Sequence, residues 1–153
     1  MSYFERRSLF GVIHTIVATI LFYILYLSPK LIGQTEVDLK SWGLAFITYL
    51  GILIATRILV IIIHTIIEGI IVYGKDKESY ASFYKEDERY KKIDIKASNA
   101  IGSSISIGFL TAMIMLAFGS PILHLFYVMF AAIIIAGILT DLLIIYYHQR
   151  GIK

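Results

Sequence analysis

Arg57, His64 and Glu68 lie within a single apolar stretch of this 153-residue chain. Ionisable groups in such a setting are costly and by default raise a functional hypothesis. At about 100° per residue, His64 falls about 20° behind Arg57 and Glu68 about 20° ahead, so the three share one narrow helix face. His14, with Thr15 and Thr19 beside it, sits in the first apolar stretch, and Asp141 in the last. Together these residues offer two imidazoles, two carboxylates and a guanidinium. Such a set can form a buried hydrogen-bond network that fixes helix rotation. It can also pass protons along a His and carboxylate relay. Metal binding is less well supported, because His64 and Glu68 at i, i+4 lack the second histidine of H-E-x-x-H. Hydrolysis has no support: there is no Gly-x-Ser-x-Gly elbow and no pair of aspartates in neighbouring stretches. No catalytic residue, metal site or cofactor is therefore assigned.

These residues must be positioned by four long apolar segments, about 9–27, 42–73, 100–118 and 121–147. Each reaches the roughly 20 residues needed to cross about 30 Å of hydrocarbon. Apolar residues make up 58% of the chain, more than a soluble domain of this size can hide. The sequence predicts an all-α fold, a four-transmembrane-helix bundle forming one integral membrane domain. Arg6 and Arg7 resemble the basic start of a signal peptide. The segment behind them is too long for one and no A-x-A site follows, so it reads as a retained helix. With no cysteine, disulfides and thiolate chemistry are excluded. A net charge of +3 is too small to suggest nucleic acid.

The basic residues give a direction. Eleven of the fourteen Lys and Arg lie in the N-terminal tail, the 74–98 connector or the C-terminal tail, against two, Lys30 and Lys40, in the first loop. Under the positive-inside rule both termini and the connector face the cytoplasm. Trp42, Tyr23 and Tyr26 fall near the outer interface, and Tyr3, Phe4, Tyr73, Tyr146 and Tyr147 near the inner one. Pro29 and Gly33 are expected to end the first helix. Thr35 and Asp38 have the spacing of a capping box before the second.

In the connector, Glu86, Asp87 and Glu88 precede Arg89, Lys91 and Lys92, an order that suits a helix macrodipole. Tyr90, Ile93, Ala97 and Ile101 fall on one helix face. The third helix should start near Glu86 and extend about 15 to 20 Å into the cytoplasm. Tyr80, Phe83 and Tyr84 form a candidate patch that either rests on the membrane surface or docks a cytoplasmic partner. Ala100, Ser104, Gly108 and Ala112 repeat every fourth residue. Small residues at this spacing form a packing seam in lipid, received by Ala132 and Ala136 or by a second copy of the chain. The first two segments also share Ile-His-Thr-Ile at an offset of 50, the trace a duplication would leave.

Asp87-Glu88-Arg89, then Ile93, then Lys96-Ala97, directly before an apolar segment, resembles the D-E-R-x-x-x-I-x-x-K-A segment of small uncharacterised bacterial multi-span membrane proteins. The closing Arg150-Gly151-Ile152 is similar to the basic-Gly ending of some of them. The resemblance implies a bacterial cytoplasmic (inner) membrane protein and carries over no catalytic residue. The expectation is a small non-enzymatic polytopic protein acting by contact. It would give immunity to a membrane-active peptide or tether a cytoplasmic regulator. The alternative is a small oligomeric transporter or channel with an intramembrane His and carboxylate relay.

Overall fold

The computed structural model describes residues 3–30, 38–73 and 87–150. The described chain is all α. Helix α1 covers Tyr3–Phe22 and continues through a π turn, Tyr23–Leu27, into Ser28–Lys30. Helices α2 (Leu39–Tyr73), α3 (Asp87–Ala117) and α4 (Leu123–Arg150) follow. All four are long and apolar enough to cross a membrane. Their cores are rich in Ile and Val, which are mediocre helix formers in water. In lipid the backbone has no solvent to bond, so an intrasegment ladder is the only closed solution for a single span.

The helix ends are built by identifiable devices. Asp38 caps α2: its carboxylate accepts from the Lys40 amide at 3.1 Å and from the Ser41 hydroxyl, while its carbonyl accepts from the Trp42 amide at 3.1 Å. Thr35, the other half of the expected capping box, lies outside the described residues. α3 ends in a Schellman turn, with Gly119 N–H donating to Leu116 and Ser120 N–H to Met115, both at 3.0 Å. Gly119 takes φ +82°, which only glycine adopts without strain, and Pro121 stops the chain from continuing as helix.

Pro29 lies within the described helix, which runs to Lys30, and Gly33, expected with it to end the helix, lies outside the described residues. The Ser28 amide bonds back five residues, to the Tyr23 carbonyl. That widened turn, just upstream of the proline, gives its ring room that a regular i−4 ladder would deny it.

The helices run up, down, up and down. The start of α1, the end of α2, the start of α3 and the end of α4 share one end of the bundle, the terminal end. There Phe4 stacks on Tyr90 at 3.8 Å between centroids, and Tyr3 bonds Thr65. At the other end Phe22, Trp42, Ala45, Tyr49 and Phe130 form a buried aromatic core. Helix α4 packs on both α3 and α1, and α1 packs on α2. Helix α2 is the least covered, and its ridge from Ile47 (67% exposed) to Ile70 (69% exposed) meets no other helix among the described residues.

On α3, Ile93, Ala97, Gly108 and Ala112 are buried, with Ala100 and Ser104 half-buried between them. Gly108 lies so close to Ala132 that a β-carbon on it would overlap the alanine methyl. Ile101 is exposed, because the contact with α4 follows the four-residue row of small side chains and leaves Ile101 on its flank. Tyr90 packs beside Ile93, Ala97 and Ile144. The patch Tyr80, Phe83 and Tyr84 lies outside the described residues.

Candidate functional site: two ion pairs along helix α2

Arg57, His64 and Glu68 all face α1, as their shared rotation requires. They do not converge on one centre. His14, His64, Glu68, Asp141 and Arg57 are divided between two levels. Arg57 and Glu68 are eleven residues apart, or about 16 Å along the helix, and each finds its own partner.

At the deeper level, the Arg57 guanidinium crosses the face of α1 and donates from Nη2 to Asp141 Oδ1 on α4 at 2.6 Å. It passes where a side chain on Gly11 would be: a β-carbon at Gly11 would overlap the guanidinium itself. Asp141 is 3% exposed and Ala136, five residues before it, is buried. A carboxylate so placed stays charged only when a cation meets it. One contact therefore ties three helices. The second guanidinium nitrogen, Nη1, is buried without a hydrogen-bond partner.

His14 lies three residues beyond Gly11 and bonds Thr56, the neighbour of Arg57. The Thr56 hydroxyl donates to the Ile52 carbonyl at 2.6 Å, so at 2.7 Å it accepts from His14 Nε2. This bonding assigns the Nε2–H tautomer, and leaves Nδ1 a buried acceptor without a partner. Thr15, one residue on, comes within 3.5 Å of where a side chain on Gly137 of α4 would begin. Glycines at 11 and 137 thus bring α1 close to both of its neighbours at this level.

At the terminal level, Arg6 grips Glu68 with two parallel bonds, Nε to Oε1 and Nη2 to Oε2, each 2.8 Å. Fork-to-fork geometry of this kind is the strongest form of the pair. His64 Nε2 stands 3.8 Å from Glu68 Oε1, beyond hydrogen-bond reach. The ring is buried between Tyr3 and Phe10, at 5.1 and 5.2 Å between centroids, and neither nitrogen has a hydrogen-bond partner. Tyr3 donates to Thr65 Oγ1 at 2.8 Å, because that hydroxyl is spent on the Ile61 carbonyl. Among the described residues, no three His, Asp or Glu side chains gather closely enough to hold a metal ion.

Reading the sequence alone missed Arg6, Gly11 and Thr56. Arg6 counts there as a flanking charge that sets direction. The available signal was depth: α1 and α2 are antiparallel, and Arg6 and Glu68 sit at matching distances from the same end. Gly11 offered no signal, since one glycine in an apolar helix does not say what crosses it. No family model, curated protein or solved structure matches the chain.

Proposed function

We propose that this is a small non-enzymatic polytopic protein of a bacterial inner membrane that acts by contact, giving immunity to a membrane-active peptide or tethering a cytoplasmic regulator. One observation carries the reading: two of the three buried carboxylates among the described residues, Asp141 and Glu68, are each closed by an arginine from a different helix. Groups so committed set the rotation and depth of the helices and are poorly placed to pass an ion onward. Meanwhile the ridge of α2 between Ile47 and Ile70 stands open to an incoming apolar helix. The bias of eleven basic residues against two supports cytoplasmic termini. Helix α3, at 31 residues, is about 46 Å long, enough to cross the hydrocarbon and rise into the cytoplasm. The D-E-R segment at its start supports kinship with small bacterial multi-span proteins.

A second reading, a small oligomeric transporter or channel, has one observation in its favour. His64 is buried with both nitrogens unpartnered beside a carboxylate, the setting of a proton acceptor. Proteoliposomes separate the two. Under the contact reading, vesicles carrying the protein leak less dye when an amphipathic pore-forming peptide is added, or the protein retains a cytoplasmic regulator on the vesicle. Either effect survives Glu68→Gln. The first is lost when Ile54 and Ile58 on the ridge become Ser, and the second when Tyr80, Phe83 and Tyr84 become Ala. Proton flux above that of empty vesicles, abolished by Glu68→Gln, establishes the transporter instead.

A further inference from the structure

The π turn of α1 borders two cavities. One, about 350 Å³ between α1 and α2, is lined mostly by aliphatic side chains, with Phe22, Tyr26, His14 and Thr56 among them. The other, about 250 Å³, opens at the far end of the bundle from the two termini. Six aromatic residues from three helices line it: Phe22, Tyr23, Trp42, Tyr49, Tyr127 and Phe130. No Lys, Arg or His does.

These rings enclose space. Trp42 stands at 89° to Tyr127 and Tyr49 at 62° to Phe130, both at 5.3 Å between centroids. Phe22 is tilted by 49° against Tyr49. Rings at steep mutual angles make the walls of a box, and aromatic faces carry negative electrostatic potential. Two hydroxyls in the wall, those of Tyr49 and Thr19, have spent their hydrogens. Tyr49 donates to Thr19 at 2.8 Å, and Thr19 donates to the Thr15 carbonyl at 2.7 Å. Neither of the two has a hydrogen left to donate into the cavity. Asp38, one turn before Trp42, is the only acidic side chain among the described residues at this end. Tyr23 and Tyr127, each about half exposed, flank the mouth. The π turn sets the rotation of Tyr23, and such turns concentrate at functional sites.

We propose that this aromatic cavity binds a quaternary ammonium group. Such a cation has no hydrogen to donate and needs no acceptor in line with it. It is held by ring faces around it, which this wall provides. The volume lies below the roughly 300–1,000 Å³ of sites for drug-sized ligands, so it suits a small cation or a headgroup. Two sources share the chemistry: the choline headgroup of a lipid, which lies at the depth of an interfacial aromatic belt, and a soluble quaternary ammonium ion. The inference stands apart from the contact reading and uses neither ion pair.

Trp42, the only tryptophan of the chain, reports on the site directly. The full-length protein in a choline-free maltoside detergent is titrated with tetraethylammonium and, separately, choline. The neutral isostere 3,3-dimethyl-1-butanol and sodium chloride at matched ionic strength serve as controls. A saturable change in Trp42 emission with the cations alone is expected. Phe130→Leu weakens it about tenfold, as does Tyr127→Leu at the half-exposed mouth, which leaves the core intact; Tyr49→Phe stays within about twofold. In nanodiscs, loss of the tetraethylammonium response with phosphatidylcholine, but not with phosphatidylglycerol and phosphatidylethanolamine, assigns the lipid headgroup. Its retention in both assigns the soluble ion. No saturable response, an equal response to the neutral isostere, or unchanged binding in Tyr127→Leu overturns the proposal.

Discussion

Arg57 reaches Asp141 across α1 by way of the space left by the missing side chain of Gly11. A methyl at position 11 and the guanidinium cannot occupy that space together. Gly11→Ala should therefore displace Arg57 and cost about 2 kcal/mol, in the range of an overpacked core. Gly102→Ala is the control, since nothing lies within 4 Å of its added carbon. It should stay within about 0.5 kcal/mol of the parent. Reversible unfolding of both variants in mixed detergent micelles, followed by helix content, provides the comparison.

The ion pair itself predicts a strong coupling. Removing Arg57 alone leaves Asp141 buried and unmatched, at a cost of about 3 kcal/mol or more. Removing both charges removes the problem as well as the bond. Arg57→Leu with Asp141→Leu should be more stable than either single variant, with a coupling of about 1–3 kcal/mol in a double-mutant cycle. If the two single losses simply added, the pair would not be the tie between α2 and α4 that the 2.6 Å contact makes it.

Much of this architecture is legible in the residues. Apolar runs of helical length, in a solvent that cannot bond the backbone, leave little choice but four helices. The common face of Arg57, His64 and Glu68 follows from helix geometry, and all three do turn toward α1. Their partners do not follow from it. Pairing depends on which helix lies across the groove and at what rotation, and one helix's periodicity holds neither. Arg6 looks like a topological charge until α1 and α2 are placed side by side. The π turn is hidden for a similar reason: Tyr-Ile-Leu-Tyr-Leu is an ordinary apolar helix sequence, and Pro29 beyond it looks like a terminator. Only the bond from Ser28 to Tyr23 reveals how the proline is accommodated.

Asp38 makes the cap of α2 sensitive to acid. Its hydrogen bond from Ser41, aided by the Lys40 amide, holds the carboxyl below its ordinary value. A carboxylate with a lowered folded-state value gives its full stabilisation above the unfolded value and loses it as pH falls through the folded one. Around neutrality the cap should be intact, and only below the ordinary carboxylate range should the first turn of α2 fray. Amide exchange at Lys40 and Ser41, corrected for intrinsic rates, should accelerate at that point. Asp38→Asn should remove the pH dependence while keeping much of the cap.

Glu68 separates a structural clamp from a solvated charge. Arg6 is 41% exposed at its side chain, so screening limits what the pair contributes, despite its two bonds. Arg6→Gln should cost about 1 kcal/mol. Arg7→Gln, whose guanidinium sits 5.9 Å from the Tyr90 ring, should cost about half as much. The order of the two matters more than their size. Were Arg7 the more sensitive, the N-terminal turn would be held by the aromatic stack and not by the grip on Glu68.

The seam between α3 and α4 supplies the last expectation. Gly108 and Ala132 touch backbone to methyl, and Ala112 is almost fully buried along the same line. Close approach of this kind is the chief attraction between helices in lipid, where burial of apolar surface gives no advantage over acyl chains. Gly108→Leu must push the helices apart along the whole row, because the row has no flexible side chain to yield. It should cost about 3 kcal/mol or more. Ile107→Leu, beside it on the exposed face, should cost almost nothing. Disulfide trapping between cysteines placed at 108 and 132 distinguishes the alternatives for this face. A bond within one chain fits the seam described here, and a bond between chains would mean that the same row also serves a second copy.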